Sequence, residues 1–276
     1  MVPAAPIPHE EFLWALSTDI SSEKSISAIA RTVNASFSSD PLIRWLRPNA
    51  TTWDKPDDSV WKWQYRRIQS VLVHGEVLQS GDVQEMALKF PRKQRKSTES
   101  VEPDTTLIKE AQSSVTASIP GADDAGAVVF LFPPKEQLRW SLSRLWLTWK
   151  LFLLEILKPA YDDGCKKQRV DQLLAANKTG LESVQAQYSK QKMWYLEVIA
   201  VHPSLQARGI GGGVMRSILQ HVGDQPIYLE CTRQENIGFY ESFGFQVVNE
   251  VELVDEEQNL KFWAMVHSGQ GSSEGR

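Results

Sequence analysis

The sequence predicts an α/β fold: a mixed sheet flanked by helices, with a helical insertion ahead of the strand at 193–201. Three observations carry that expectation. Apolar residues recur at steps of three and four through 21–37, 59–74 and 138–156, the period of one helix face. Two compact apolar runs, Ala127–Phe132 and Met193–Val201, each end at proline-containing breaks and read as strands. From 193 onward the pattern runs strand, helix, strand, short helix, strand, strand.

Taken in order, the first helix presents Ile26, Ile29, Ala30 and Val33 and is broken by Ser39-Asp40-Pro41, where Asp40 suits a cap for a short helix at 42–46. The helix at 59–74 has a face with Val60, Trp63, Ile68, Val71 and Leu72. Residues 83–90 are expected as a strand. The segment 91–125 has few large apolar residues and is expected as a mobile loop; its basic run Arg92–Lys96 reads as a solvated part of it. Ala127–Phe132 is stopped by Pro133-Pro134, which cannot extend a ladder. The insertion, 134–190, holds helices at 136–157 and 166–187 separated by Asp162-Asp163-Gly164. A strand at 193–201, a helix at 211–222, a strand at 227–232 and a short helix at 235–243 follow. Two strands, 245–254 and 260–267, are joined by a polar turn, and 268–276 reads as a disordered tail. The whole chain, 1–276, is expected to be one domain.

Composition excludes several classes. The chain has 276 residues, 42% hydrophobic and 23% charged, with a formal net charge of -4, so nothing draws it to nucleic acid in general. Its two cysteines, Cys165 and Cys231, are too few for a disulfide framework or zinc cluster and read as reduced thiols. Residues 1–11 carry three prolines and no basic run, unlike a secretory signal, so a cytoplasmic location is expected. The apolar stretch 140–160 contains Arg144, Lys150, Glu155 and Lys158, too many charges for a span of about 20 apolar residues. Leu138, Leu142, Leu145, Trp149, Phe152 and Ile156 instead make one face of an amphipathic helix, and no membrane partner is expected. No metal site is expected, and the protein reads as a monomer or homodimer.

The chemistry concentrates at 193–245. The strand ending at Val201 runs into His202-Pro203 and then Gln206-Ala207-Arg208-Gly209-Ile210-Gly211-Gly212-Gly213, directly before a helix. Strand, glycine-rich turn and helix present backbone N–H groups and a positive helix end to a phosphate. Arg208 could add a guanidinium and Gln206 a side-chain amide. A dinucleotide-binding turn would need glycine at 214, which is Val, and the Gly-Lys-Ser/Thr of a P-loop is absent. About thirty residues on comes Asn236-Ile-Gly-Phe-Tyr240-Glu-Ser-Phe-Gly244-Phe245.

Together these segments resemble the GNAT superfamily of acetyl-CoA-dependent N-acetyltransferases. Val201-His-Pro203-Ser-Leu-Gln206-Ala-Arg208-Gly209-Ile-Gly211 fits the family's Val-x-Pro-x-x-Gln-x-x-Gly-x-Gly/Ala turn, and Asn236 through Tyr240 to Gly244-Phe245 fits its second motif. The likeness is strong over 193–266 and weak before 130. It implies a mostly antiparallel, twisted sheet and acetyl-CoA as cosubstrate. It implies that Ile199, Ala200 and Val201 hold the pantetheine arm. Gln206, Ala207, Arg208, Gly209, Ile210, Gly211 and Gly212 would then bind the pyrophosphate, while Asn236 touches the arm. Val201 N–H would polarise the thioester carbonyl and stabilise the oxyanion. Tyr240 matches the family's proton donor to the departing thiolate.

A base must take the proton of the amine. Glu197 sits in an apolar strand on which strict alternation would put 195, 197, 199 and 201 on one face, where a carboxylate can acquire a base's pKa. Pairing with an arginine is the competing reading, and Tyr195 with a water chain is another candidate. His202 is expected to be exposed. Trp140, Trp146, Trp149 and Tyr161 of the insertion could line an acceptor pocket or simply be buried. Neither cysteine lies in the motifs, so transfer is expected to be direct within a ternary complex. The expected acceptor is the primary amine of a small molecule; a protein or peptide acetyltransferase and a non-catalytic acetyl-CoA sensor are the alternatives.

Overall fold

The computed structural model describes residues 12–16, 23–48, 59–92, 120–138, 141–157, 165–187, 193–255 and 258–269. Most of the loop expected at 91–125, the junction with Tyr161, Trp140, and the tail from 270 lie outside these residues. Among the described residues, seven strands form one sheet in the order β1-β2-β3-β4-β5-β7-β6. They are β1 (Trp14–Ala15), β2 (Glu76–Gln79), β3 (Ala127–Phe132), β4 (Trp194–Val201), β5 (Ile227–Cys231), β6 (Phe245–Val254) and β7 (Asn259–His267). Only β4 and β5 are parallel; every other neighbouring pair is antiparallel.

Helices cover both faces. On one side lie α1 (Glu23–Phe37), α3 (Ser59–His74) and α5 (Leu142–Leu157), where Ile29, Val33, Ile68 and Leu72 bury against Phe130, Val198 and Ala200. On the other lie α4 (Val83–Lys89) and α7 (Ile210–Val222), where Met86, Val214 and Ile218 meet Val129, Leu131, Leu196 and Leu229. Each fully buried aliphatic side chain contributes about 1.5–3 kcal/mol relative to exposure. Because both faces are covered, β3 is buried along five of its six residues, which is why its sequence is continuously apolar rather than alternating.

Two shorter helices, α2 (Pro41–Leu46) and α8 (Ile237–Glu241), and the long α6 (Lys167–Gln187) complete the described α-helices. Asp40 caps α2 by accepting from Leu42 N–H at 3.0 Å and Ile43 N–H at 3.1 Å, with Pro41 at the position where its missing donor costs nothing. Arg169, 1% exposed, pins the start of α6. It donates to Asp255 and to the Trp45 carbonyl, and its guanidinium lies 5.1 Å from the Trp45 ring centre.

Three expectations are corrected. Residues 83–89 are helix, not strand: Asp82 accepts from Glu85 N–H at 2.8 Å and caps α4, and the strand is instead 76–79, just before. The loop expected at 91–125 closes earlier, since Asp124 and Ala125 are buried and Asp124 is paired with Arg31. Finally, β4 does not alternate strictly. Phe130 pairs with Val198 but Leu131 with Leu196, so Glu197 is the extra residue of a β-bulge. The bulge reverses the faces: Ile199 and Val201 pack with Trp194 and Leu196, while Val198 and Ala200 turn to the α1–α3 side.

Candidate active site

The sheet opens between β4 and β5. They pair only at Trp194↔Ile227, Tyr195↔Tyr228 and Leu196↔Leu229, and the bulge at Glu197 bends β4 away immediately after. His202 N–H bonds the Gly126 carbonyl at 2.9 Å while Ala127 faces Val201 and Val128 faces Ala200. Antiparallel pairs alternate in their bonding, so the backbone groups of Ile199 and Val201 point away from β3 and into the opening. Ser36 Oγ at 3.0 Å and Gln206 Nε2 at 3.1 Å both donate to the Val201 carbonyl. They fix the strand end, and the Gln206 amide is used there.

The turn after β4 is shaped by left-handed residues. Ala207 has φ 61° and Gly209 φ 82°, a combination that turns successive N–H groups toward one point. Gly209 starts α7 with no side-chain cap, leaving the first-turn donors of Ile210, Gly211 and Gly212 available to an anion. Arg208 also braces the turn. Its guanidinium donates to the Phe90 carbonyl at 3.0 Å and the Ser204 carbonyl at 3.1 Å, tying the end of α4 to the turn. His202 is not exposed: it is buried, its Nδ1 lies 2.8 Å from Ser204 Oγ, and burial pushes its pKa down while Asp124 raises it.

The opening is a cleft of about 470 Å³ bounded by α1, α2, α3, β4, β5 and α6. One end carries Val201, Asn236 and Tyr240. Asn236 is exposed and makes no capping bond with its side chain. Tyr240 is buried, and its hydroxyl is pushed well above the ordinary phenol value by burial, then by Cys231 and Asp40. It stays protonated throughout the physiological range. Thr232 Oγ1 donates to Asp40 Oδ2 at 2.5 Å and Arg233 to the Ser39 carbonyl at 2.6 Å, clamping the α1–α2 turn over this end.

The other end holds two carboxylates, Glu197 and Glu230, each the first residue of its strand beyond the last paired rung. Arg67 donates to Glu197 Oε1 from Nη2 at 2.8 Å and Nε at 3.2 Å, and Glu197 Oε2 is buried with no partner. Glu230 accepts from Tyr228 at 2.9 Å and from Tyr195 at 3.3 Å. Asn177, with its amide nitrogen turned to the cleft, donates to Glu230 at 3.2 Å. Burial raises the Glu230 carboxyl above the usual range; the two phenols pull it down and the charge of Glu197 adds to the rise.

The structure therefore brings Glu197, Ile199, Ala200, Val201, Gln206, Asn236 and Tyr240 to one cleft. Sequence reading missed Glu230, Arg67 and Asp40. For Glu230 a signal existed, a lone acid in the apolar run Ile227–Cys231, the same signal that picked out Glu197. Cys231 also lines the cleft. Its Sγ–H donates to the Arg233 carbonyl at 3.0 Å, and burial raises its pKa, so it is a poor nucleophile. From the insertion, Leu173 and Asn177 of α6 line the cleft, whereas Trp146 and Trp149 neither reach it nor bury.

Residues 171–247, from α6 through the turn to β6, match the family model of the acetyltransferase (GNAT) domain. Over these residues the chain is similar to that domain. Solved structures extend the likeness in fold. A histone acetyltransferase HPA2 and related acetyltransferase from Corynebacterium glutamicum is 13% identical, with 95% of this chain and 97% of that one covered at a TM-score of 0.50. Arylalkylamine N-acetyltransferase 2 from Aedes aegypti is 11% identical, with coverage of 92% and 96% and a TM-score of 0.51. The sheet, open between its parallel strands β4 and β5, is the frame in which the cleft lies.

Proposed function

We propose that the chain transfers an acetyl group from acetyl-CoA to the primary amine of a small molecule, directly within a ternary complex. The observation that carries this reading is the parted β4–β5 pair, with an anion-binding turn at one end and two carboxylates at its fork. A cleft of about 470 Å³ falls in the range of small-molecule sites. Its fork is acidic, which suits an ammonium. The fold neighbour from Aedes aegypti bears the name of an arylalkylamine N-acetyltransferase, and a small-amine acceptor accords with it.

The residues fit acetyl-CoA. Left-handed Ala207 and Gly209 and the uncapped α7 would hold the pyrophosphate through the N–H groups of 207–212. The free edge at 199–201 and Asn236 would hold the arm. Acetyl-CoA supplies the acetyl group as an activated thioester. Val201 N–H donates to the thioester carbonyl and to the oxyanion that develops from it. A fork carboxylate, Glu197 or Glu230, takes the proton of the amine. The N–C bond forms, the C–S bond breaks, and Tyr240 returns a proton to the sulfur. Cys231, with its raised pKa and committed S–H, supports direct transfer over an acetyl-cysteine intermediate.

The test is thiol release from acetyl-CoA against polyamines, arylamines, aminoglycosides, amino acids and lysine peptides. Turnover with a small amine is expected. Turnover with peptides alone, or with nothing in the panel, would overturn the acceptor class. Tyr240→Phe should lower kcat by about 100-fold, as loss of general acid catalysis does, and leave coenzyme A affinity unchanged by calorimetry.

A further inference from the structure

The apolar face read from the sequence of 142–157 points outward. Leu147 is buried against the α3 side, with Leu151 packed beside it; Arg144 Nη2 donates to the Gly75 carbonyl at 3.1 Å. Those contacts use one side of α5. On the other, Leu145, Trp146, Trp149, Phe152, Leu153 and Ile156 are each 46–67% exposed and follow one another at steps of one and three, a single continuous stripe. A helix apolar all round belongs in a core or against lipid. Here only one side has a core, and exposed apolar area of this extent marks an interaction surface.

The charge on and beside α5 selects the occupant. Arg144 is bound to the Gly75 carbonyl, so Lys150 is the basic residue of α5 beside the stripe, and Lys62 is exposed on α3, which packs along α5. Lys150 Nζ lies 5.6 Å from the Trp146 ring centre, so its stem lies along the stripe while its ammonium reaches the rim. A second copy would meet this stripe across a two-fold axis near its middle. That brings Lys150 beside its own image, a like-charge contact that costs affinity. An anionic lipid surface gains from the same lysine. Tryptophan and phenylalanine beside lysine are the pattern of a helix lying in the headgroup region. No described helix is long and apolar enough to cross a membrane.

We propose that the outward face of α5 seats the protein on an anionic lipid surface, with the helix in the plane of the headgroups. The sequence reading weighs peripheral membrane contact on this helix and disfavours it; it does not foresee that the apolar side faces solvent. The test is flotation of the full chain with vesicles of phosphatidylcholine, with and without phosphatidylserine. Binding to the phosphatidylserine vesicles is expected, weakened by salt. The double substitution Trp149→Glu, Phe152→Glu should cut the bound fraction by about tenfold without changing circular dichroism or acetyl transfer in solution. No flotation with either vesicle, equal flotation without phosphatidylserine, or flotation of the variant like the parent chain would overturn the proposal. So would light scattering that shows a dimer which the variant dissolves, because the stripe would then belong to a second copy.

Discussion

Glu197 and Glu230 stand at the same fork but are held differently, and that difference assigns their work. Glu197 is neutralised on one oxygen by Arg67; Glu230 is held by two phenols and has its carboxyl raised, chiefly by burial. A carboxyl raised toward neutral pH at the fork suits the general base, and the raised one is Glu230. With Glu230 as the base, activity rises with pH through its raised pKa, and Glu230→Gln removes that acid limb. Glu197→Gln should instead move the limb to lower pH, because it deletes a negative charge that raises Glu230. A pH–rate profile that loses the limb in Glu197→Gln and keeps it in Glu230→Gln would transfer the role to Glu197. Stability gives a second readout. The folded value of Glu230 lies above its unfolded one, so its stabilising contribution is full below the unfolded value and is lost as pH rises through the folded one. Glu230→Gln is therefore expected to melt higher than the parent at neutral pH, with the difference closing in acid.

At the scale of elements, the turn into α7 depends on backbone that few residues adopt. A Cβ at Gly209 would meet nothing within 4 Å, yet its φ is 82°. Gly209→Ala is expected to cost roughly 1 kcal/mol from the left-handed conformation alone, read as a lower melting temperature, and to weaken coenzyme A binding as the turn relaxes. Unchanged melting and binding would show that the turn tolerates a side chain. The bulge at Glu197 is the other decisive local feature. It was not legible in the sequence, since the run Trp194–Val201 contains no glycine or proline to mark it. It exists because β3 pairs with β4 on both sides of one unmatched residue. The helix at 83–89 was misread for a related reason: a short apolar run has no clear period, and the cap at Asp82, not propensity, decides it.

At the scale of the molecule, the cleft is walled by segments far apart in the chain. Arg67 meets Glu197 across 130 residues of sequence, and the α6 wall is tied to α2 and to the end of β6 through buried Arg169. Removing one partner of a buried charge pair costs about 3–5 kcal/mol. Arg169→Ala should lower the melting temperature sharply and raise KM for the amine more than for acetyl-CoA, because Leu173 and Asn177 lie one and two turns further along α6. An equal rise in both would mean that α6 supports the whole domain and not the acceptor side in particular.

The sequence by itself determined the strands from 193 onward, the glycine turn and the Asn236–Tyr240 segment, because local periodicity, glycine and fixed spacing are all properties of neighbouring residues. Only the tertiary structure decided that Arg208 braces α4, that His202 is buried, that Glu230 joins Glu197 at the fork, and that the apolar side of α5 faces outward. Each of those depends on which distant segment packs against the residue. Burial, partners and charge are set by such long-range contacts, and periodicity along the chain does not encode them.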